Sequence, residues 1–212
     1  MVNQPLFIAK TPSETQPFHM SGSLLRASIG LCVVTLIGFG FVYSAATTQL
    51  GQLVFPEQAN GSLVYAQGKP VGSMLVAQPV ISNQYFKPRP SAAGYNLMAM
   101  AGSNQARTNP DLQKRIDKTL IQVIQQNNVS VAQIPSDMVT QSGSGIDPDI
   151  SPQAARIQVN RIAKARQLKP EVVNQLVEQQ IQSPQFGILG AARVNVLQLN
   201  LALDAIGQTQ PH

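Results

Sequence analysis

The stretch Ala27-Ser-Ile-Gly-Leu-Cys-Val-Val-Thr-Leu-Ile-Gly-Phe-Gly-Phe-Val-Tyr-Ser-Ala-Ala46 decides the fold of this chain. No charged residue occurs between Arg26 and Glu57. An α-helix needs about 20 apolar residues to cross the hydrocarbon core of a bilayer, and it satisfies its own backbone amides there. The sequence therefore predicts a transmembrane helix over residues 24–50, preceded by a disordered cytoplasmic tail over residues 1–23.

Glycines interrupt the apolar run at positions that suit helix packing. Gly30 and Gly38 are eight residues apart, so an α-helix places them close to one face. Small residues let helices approach closely in a membrane. We expect this face to pack against a partner.

A cleavable secretory signal is the alternative interpretation of the same run, because Ser44-Ala45-Ala46 provides small residues where a signal peptidase could cut. The 26 residues before the run and its continued apolar character as far as Phe55 favour an uncleaved anchor instead.

Charge sets the expected orientation. Arg26 abuts the run, whereas the first charged residue after it is Glu57 and no basic residue follows until Lys69. The positive-inside rule therefore places the N-terminus in the cytoplasm and residues 56–212 outside it.

The composition argues against several classes of function. Cys32 is the only cysteine and lies in the run, and the two histidines are His19 in the tail and His212 at the last position. Ser-His-Asp catalysis, Cys-His catalysis and ordinary zinc sites are therefore not expected in the domain. The net charge of +5 comes with 5% aromatic residues and no nucleic-acid motif, so it indicates a basic surface facing anionic lipid.

Local patterns predict an α+β domain with a short strand hairpin and about four helices. The strands are expected at residues 62–66 and 71–77, followed by a long surface loop over residues 83–103. Caps, prolines and apolar stripes predict helices over residues 110–128, 152–168, 170 to before Pro184, and 196–206, the last stopped by Gly207.

A loop rich in glycine, serine and aspartate precedes the second of these helices. It lacks the Gly-Lys-Ser/Thr of a phosphate-binding loop, and Asp-x-Asp alone offers too few oxygens for Ca²⁺. We interpret it as a capped loop whose acids serve the helix dipole and nearby arginines. Arg89 is a further structural candidate in the chain. Its candidate residues are Ser142, Gly143, Ser144, Gly145, Asp147 and Asp149.

Arg166 shares a helical stripe with apolar residues, so its side chain is expected to point into the domain. A buried guanidinium needs a carboxylate. Asp204 is the favoured partner, with Asn200 one turn away as a second acceptor; Asp147 and a surface-directed Arg166 are the alternatives. If the pair forms, Arg166→Ala should cost roughly 3–5 kcal/mol.

Seven motifs in order along the chain resemble KdpC, the C subunit of the high-affinity Kdp potassium-transporting ATPase of bacteria. They are Thr47–Gln52, Phe55–Ser62, Val71–Gln78, Tyr85–Ala92, Gly143–Ala155, Arg161–Arg166 and Arg193–Asp204. The tail is longer than is usual in that family, which leaves Met1 and Met20 as alternative starts.

The resemblance implies an accessory subunit with one span in the bacterial inner (plasma) membrane. Its partners would be a potassium-channel-like A subunit, a P-type ATPase B subunit and a small F peptide, with ATP and K⁺ handled by the complex and no cofactor held by this chain. The family's C subunit is needed for assembly and has been proposed to raise the B subunit's affinity for ATP as a catalytic chaperone. The absence of an Asp-Lys-Thr-Gly motif and of a P-loop agrees with a non-catalytic subunit.

Two other classes stay open on the residues alone. A secreted enzyme would have to use carboxylate chemistry on Asp147 and Asp149, which are close together on a loop expected to be solvated. A membrane-anchored binding module unrelated to transport is the other.

Overall fold

The computed structural model describes residues 22–209, with the boundary between two compact units falling after Pro56. Residues 1–21, and with them most of the predicted tail, lie outside the described residues. The first unit is one continuous helix, Gly22–Val54, so positions 22 and 23 are helical rather than part of a tail. Within the described residues, it is the one helix long and apolar enough to cross a membrane.

The winding of this helix changes in its middle, which the sequence did not predict. α1 (Gly22–Thr35) continues into a π-helical stretch, Leu36–Tyr43, and then into α2 (Ser44–Val54). π-helical hydrogen bonds join residues five apart, so the α-helical spacing between Gly30 and Gly38 is not kept throughout. Both glycines are open on the isolated chain, where a Cβ would meet nothing within 4 Å.

The second unit is an α+β domain, as predicted: a two-strand hairpin and several helices. Its elements are α3 (Pro56–Ala59), β1 (Leu63–Ala66), β2 (Lys69–Ser73), a 3-10 turn (Leu97–Ala99), α4 (Pro110–Asn127), 3-10 turns (Val131–Gln133 and Ser136–Met138), β3 (Asp149–Ile150), α5 (Pro152–Arg166), α6 (Pro170–Gln180), β4 (Val194–Asn195) and α7 (Val196–Thr209).

The hairpin turns more tightly than predicted. β1 and β2 pair antiparallel with Ala66 opposite Lys69, so two residues form the turn. Those residues, Gln67 and Gly68, have φ of 50° and 75°. Consecutive positive φ angles are what a two-residue hairpin requires, because that backbone matches the strand twist.

α5 lies at the centre of the core. Its predicted stripe is correct, because Ala155, Val159 and Ile162 are all buried. α4 and α6 pack against it, and α7 packs against α6. Asn195 caps α7 by accepting the Gln198 N–H at 3.1 Å. The apolar core consists of Phe86, Ile150, Ala154, Ala155, Val159, Ile162, Ala163, Val173, Leu176, Val177, Val194, Val196, Leu199 and Leu203.

One further expectation was wrong, and one feature was not predicted. α7 does not stop at Gly207 but continues to Thr209. One glycine costs a helix only about 1 kcal/mol relative to alanine, which is too little to end it. The two-residue strands β3 and β4, which pair antiparallel, were not predicted because so short a strand has no period to detect.

Candidate functional site

The segment over residues 83–91, predicted as a surface loop, enters the core; we call it the core segment. Phe86 has no exposed surface. Asn200 on α7 holds its backbone from both sides, since the amide oxygen accepts the Phe86 N–H at 2.8 Å and the amide nitrogen donates to the Phe86 carbonyl at 3.0 Å. A buried backbone needs hydrogen-bond partners, and here side chains provide them in place of a neighbouring strand.

α5 holds the core segment in the same way. The Gln158 amide accepts the Lys87 N–H at 2.8 Å and donates to the Lys87 carbonyl at 3.2 Å. One turn later, the Arg161 guanidinium donates to the carbonyls of Asn83 at 2.6 Å and Tyr85 at 3.1 Å. Burial lowers the pKa of Arg161 to about 10, because the charged form loses water.

The predicted pair of Arg166 and Asp204 is present, with 2.6 Å between the guanidinium nitrogen and the carboxylate oxygen. Arg166 also donates to the Gln84 carbonyl at 2.8 Å and lies 4.5 Å from the centre of the Tyr85 ring. The Tyr85 hydroxyl donates to Asp204 at 3.2 Å and closes the cluster. Only 12% of the Arg166 side chain is exposed, whereas Asp204 keeps 37%.

Asn200 is not the second acceptor predicted for Arg166. Its amide oxygen and nitrogen both bind the Phe86 backbone. Asn200 does point into the domain, but its predicted partner was wrong, because the segment that it binds lies 114 positions away in sequence.

The glycine-serine loop is tied to the end of the core segment. The Gly145 N–H donates to the buried Ser142 hydroxyl at 2.8 Å, and the Ser91 hydroxyl donates to the Gly145 carbonyl at 2.5 Å. Ser144 accepts the Ile146 N–H at 3.2 Å, whereas a Cβ at Gly143 would meet nothing within 4 Å. These hydrogen bonds fix the loop against the end of the core segment.

The two aspartates each face an arginine. Asp147 lies 3.0 Å from Arg89 and Asp149 lies 3.2 Å from Arg193. Burial raises the pKa of Asp149 above its ordinary value, although Arg193 and a hydrogen bond from Asn195 oppose the shift. The expectation of a solvated loop is wrong, because both carboxylates are about one-quarter exposed and Asp149 belongs to β3.

A different acid serves the N-terminus of α5. Asp137 accepts the Ser151 N–H at 2.7 Å and the Ser151 hydroxyl at 3.1 Å. Its 3-10 turn is thereby joined to α5. Over the described range, residues 22–209, no three His, Cys, Asp or Glu side chains are grouped so as to hold a metal ion.

Sequence reasoning missed the importance of Gln158, Arg161 and Asp137. A signal existed for Gln158, which is buried on α5 between apolar neighbours and whose amide could only be satisfied by a distant partner. These three side chains make their hydrogen bonds within the domain. Their hydrogen bonds hold the core segment and the start of α5 in place.

An exposed turn after α6 is the remaining candidate feature; we call residues 184–190 the apolar turn. Phe186 and Ile188 are 83% and 82% exposed, and Leu189 is 55% exposed. The turn is closed by its own backbone, since the N–H groups of Gln185 and Leu189 each donate to the other's carbonyl at 2.9 Å.

Comparison with known proteins gives one consistent result. The family model described as "K+-transporting ATPase, c chain" (KdpC) matches residues 25–205. A relative from Xanthomonas oryzae pv. oryzae, described as a potassium-transporting ATPase KdpC subunit, is 49% identical over 195 residues, covering 92% of this chain and 93% of its own. A protein of the same description from Shewanella putrefaciens is 48% identical over 184 residues, covering 87% and 90%.

The match to the family model and the alignment with the Xanthomonas oryzae relative each cover nearly the whole chain, including the apolar helix and the domain with its core segment. The chain belongs to the KdpC family, the c chain of K⁺-transporting ATPases, and is a component of a Kdp complex.

Proposed function

We propose that this chain is a non-catalytic accessory subunit that assembles and stabilises the channel-like A subunit, the P-type ATPase B subunit and the small F peptide. Its apolar helix crosses the inner membrane with the N-terminus in the cytoplasm, and its α+β domain lies outside. Support comes from family membership and from one observation on the domain, the exposed apolar turn.

The apolar turn has the character of a protein-binding surface. Residues 183–192 carry no charge, and three large apolar side chains of the turn are mostly exposed. Phe186 has φ of 55°, a left-handed conformation that is unusual for a bulky residue. Strain of this kind is retained where a fixed side-chain position is needed, and aromatic anchors often dominate binding energy.

The proposed occupant is an apolar pocket on the extracytoplasmic face of the channel-like subunit. A lipid surface could also take apolar side chains, but fluid hydrocarbon does not need an aromatic ring held in a strained, hydrogen-bonded turn. A fixed ring lowers the entropy lost on binding and so favours a shaped protein pocket.

Copurification from detergent tests this proposal. The complete complex is coexpressed, captured by a tag on the channel-like subunit, and scored for this chain. Phe186→Ala should reduce the recovered chain about tenfold, because a central aromatic anchor contributes more than about 1.4 kcal/mol. Ile121→Ala is the matched control, since Ile121 is 54% exposed on α4 outside the turn and should leave recovery unchanged.

The experiment distinguishes failure of the proposed function from failure of the apolar turn as the contact. If the wild-type chain is absent from the captured complex, or is found outside the membrane fraction as a secreted domain beginning at Thr47, the proposed function is wrong. If the wild type is captured and folded Phe186→Ala is captured equally well, only the apolar turn is excluded as the contact.

The glycines of the membrane helix provide a second proposed contact. Gly30 and Gly38 leave open surface on the isolated helix, which a partner helix could fill. In the same capture assay, Gly38→Leu should loosen the complex. Equal recovery would mean that this face meets lipid.

An effect on ATP affinity would have to act at a distance in this arrangement. A domain outside the membrane does not reach nucleotide bound in the cytoplasm. We therefore propose that any catalytic-chaperone effect is a coupling free energy of about 1–3 kcal/mol, transmitted through the subunits that the chain contacts.

A further inference from the structure

A cleft of about 320 Å³ lies between the core segment, α4 and α5. Three cations line it, Lys87, Arg89 and Arg161, and the acid among its lining residues is Asp137. Arg89 is already paired with Asp147, and Asp137 is bound to Ser151 at the start of α5. Two other cations therefore face this cleft.

Arg161 differs from the other arginines that hold the core of the domain. Arg89 and Arg166 each have a carboxylate within 3.0 Å. In the described part of the chain, the acceptors that Arg161 contacts are all neutral. They are the carbonyls of Asn83 and Tyr85 and the side-chain amides of Asn127 and Gln158.

Lys87, like Arg161, has no carboxylate among the acceptors that it contacts in the described residues. Its ammonium donates to the Gln126 amide oxygen at 3.0 Å and to that of Asn83 at 3.5 Å, both neutral. The Lys87 ammonium contacts the Asn83 side chain and the Arg161 guanidinium contacts the Asn83 carbonyl, so both charges lie beside the same residue. Burial, and then repulsion from Arg161, lowers the pKa of Lys87.

Arg161 is the more deeply buried of the two cations, and Lys87 is partly buried. Charges removed from water are normally paired in proteins, because their desolvation is otherwise costly. A bound anion would supply the missing partner to both cations. The cleft is at the lower end of the size of small-molecule sites, which suits a single ionic group rather than a large ligand.

We propose that this cleft binds a phosphate group, either free phosphate or the headgroup of an anionic lipid. Lining residues that carry donor groups come from separate elements: Lys87 from the core segment, Arg161 from α5, and Thr119 and Gln122 from α4. Donors converging from three sides suit the several acceptor oxygens of a tetrahedral anion. Asp137 borders the cleft and limits the affinity by repulsion.

Titration of the full-length chain in zwitterionic detergent with inorganic phosphate tests the proposal, with chloride used to hold ionic strength constant. Phosphate should raise the midpoint of thermal unfolding, since a ligand that binds the native state stabilises it. Lys87→Gln should weaken phosphate binding about ten- to a hundredfold, the value of one hydrogen bond to a charged group. Lys87→Arg should keep it.

Lys114→Gln is the matched control, because this lysine lies on α4 with a side chain 79% exposed and outside the cleft lining. Repeating the titration in nanodiscs identifies the source of the phosphate. If phosphatidylglycerol discs already raise the midpoint and added phosphate does nothing, a lipid headgroup occupies the cleft; if phosphatidylcholine and phosphatidylglycerol discs respond equally, free phosphate does.

Two results would overturn the proposal. One is an unchanged midpoint for the wild type in detergent and in both kinds of disc at constant ionic strength. The other is equal phosphate affinity of the wild type and Lys87→Gln, which would place the bound anion elsewhere. Neither result bears on assembly with the other subunits.

Discussion

Gly143 and Gly145 occupy the same loop but have different surroundings. A Cβ on Gly145 would lie 2.8 Å from the Ala101 carbonyl oxygen and 2.9 Å from the Ala93 Cβ, and the residue has φ of 75°. A Cβ on Gly143 would meet nothing within 4 Å. The two positions therefore form a matched pair for testing whether the loop is packed tightly at Gly145.

Gly145→Ala should lower the free energy of unfolding by about 1–3 kcal/mol, because a left-handed backbone and a backbone clash both oppose the methyl group. Gly143→Ala should change it by less than about 0.5 kcal/mol, as ordinary surface changes do. Urea denaturation of the two variants measures the difference. Equal losses would mean that Gly145 is not packed against Ala93 and Ala101 as the structure shows.

Arg166 is the residue whose role the sequence predicted in most detail. Because Asp204 keeps 37% exposure, an orphaned carboxylate there is partly hydrated. The loss expected for Arg166→Ala in urea denaturation is therefore about 2–3 kcal/mol, that of a strong charged hydrogen bond. Lys114→Ala, which removes an exposed i,i+3 pair, should cost under about 0.5 kcal/mol. A loss below about 1 kcal/mol for Arg166→Ala would contradict a stabilising cluster.

At the scale of elements, α4 and α5 each end on a non-glycine residue in the left-handed backbone conformation, which is strained. Gln167 follows α5 with φ of 58° and an exposed side chain, and the Leu168 N–H closes the helix on the Ala163 carbonyl at 2.9 Å. Asn128 ends α4 with φ of 52°. A left-handed residue at this position is the usual helix stop, and glycine takes it without steric cost.

Gln167→Gly should therefore stabilise the domain by about 0.5–1 kcal/mol, the left-handed penalty less the added entropy of the unfolded chain. Asn128→Gly should gain less, because asparagine enters this conformation more readily than glutamine. The midpoints of thermal unfolding give the comparison. A destabilised Gln167→Gly would show that the cap depends on a side-chain contact.

At the scale of the whole molecule, orientation across the membrane is the property to test. With Cys32 replaced by serine, Gln58→Cys at the start of the domain should react with an impermeant maleimide in intact cells. Gly22→Cys, at the other end of the helix, should react only after lysis. The charge difference around the span motivates this expectation. Reversed labelling, or a mature chain beginning at Thr47, would contradict the proposed topology.

Much of this molecule follows from local sequence. The charge-free run needs only its length and composition to form a long apolar helix, and Asn109-Pro110 and Ser151-Pro152 begin α4 and α5 through contacts within a few residues. The seven motifs spread along the chain are by themselves enough to indicate the KdpC family. Each of these features can be recognised from a short stretch of chain, because it depends only on residues close together in sequence.

What only the tertiary structure decided is which distant groups satisfy one another. Phe86 and Asn200 are 114 positions apart, and Arg161 reaches carbonyls 76 and 78 positions away. The sequence showed that Asn200 and Arg161 carry polar groups on packed helices, but a side-chain donor has no local preference for one carbonyl over another. Packing of α5, α6 and α7 brings the core segment between them, and the cost of an unsatisfied buried backbone then selects the pairs.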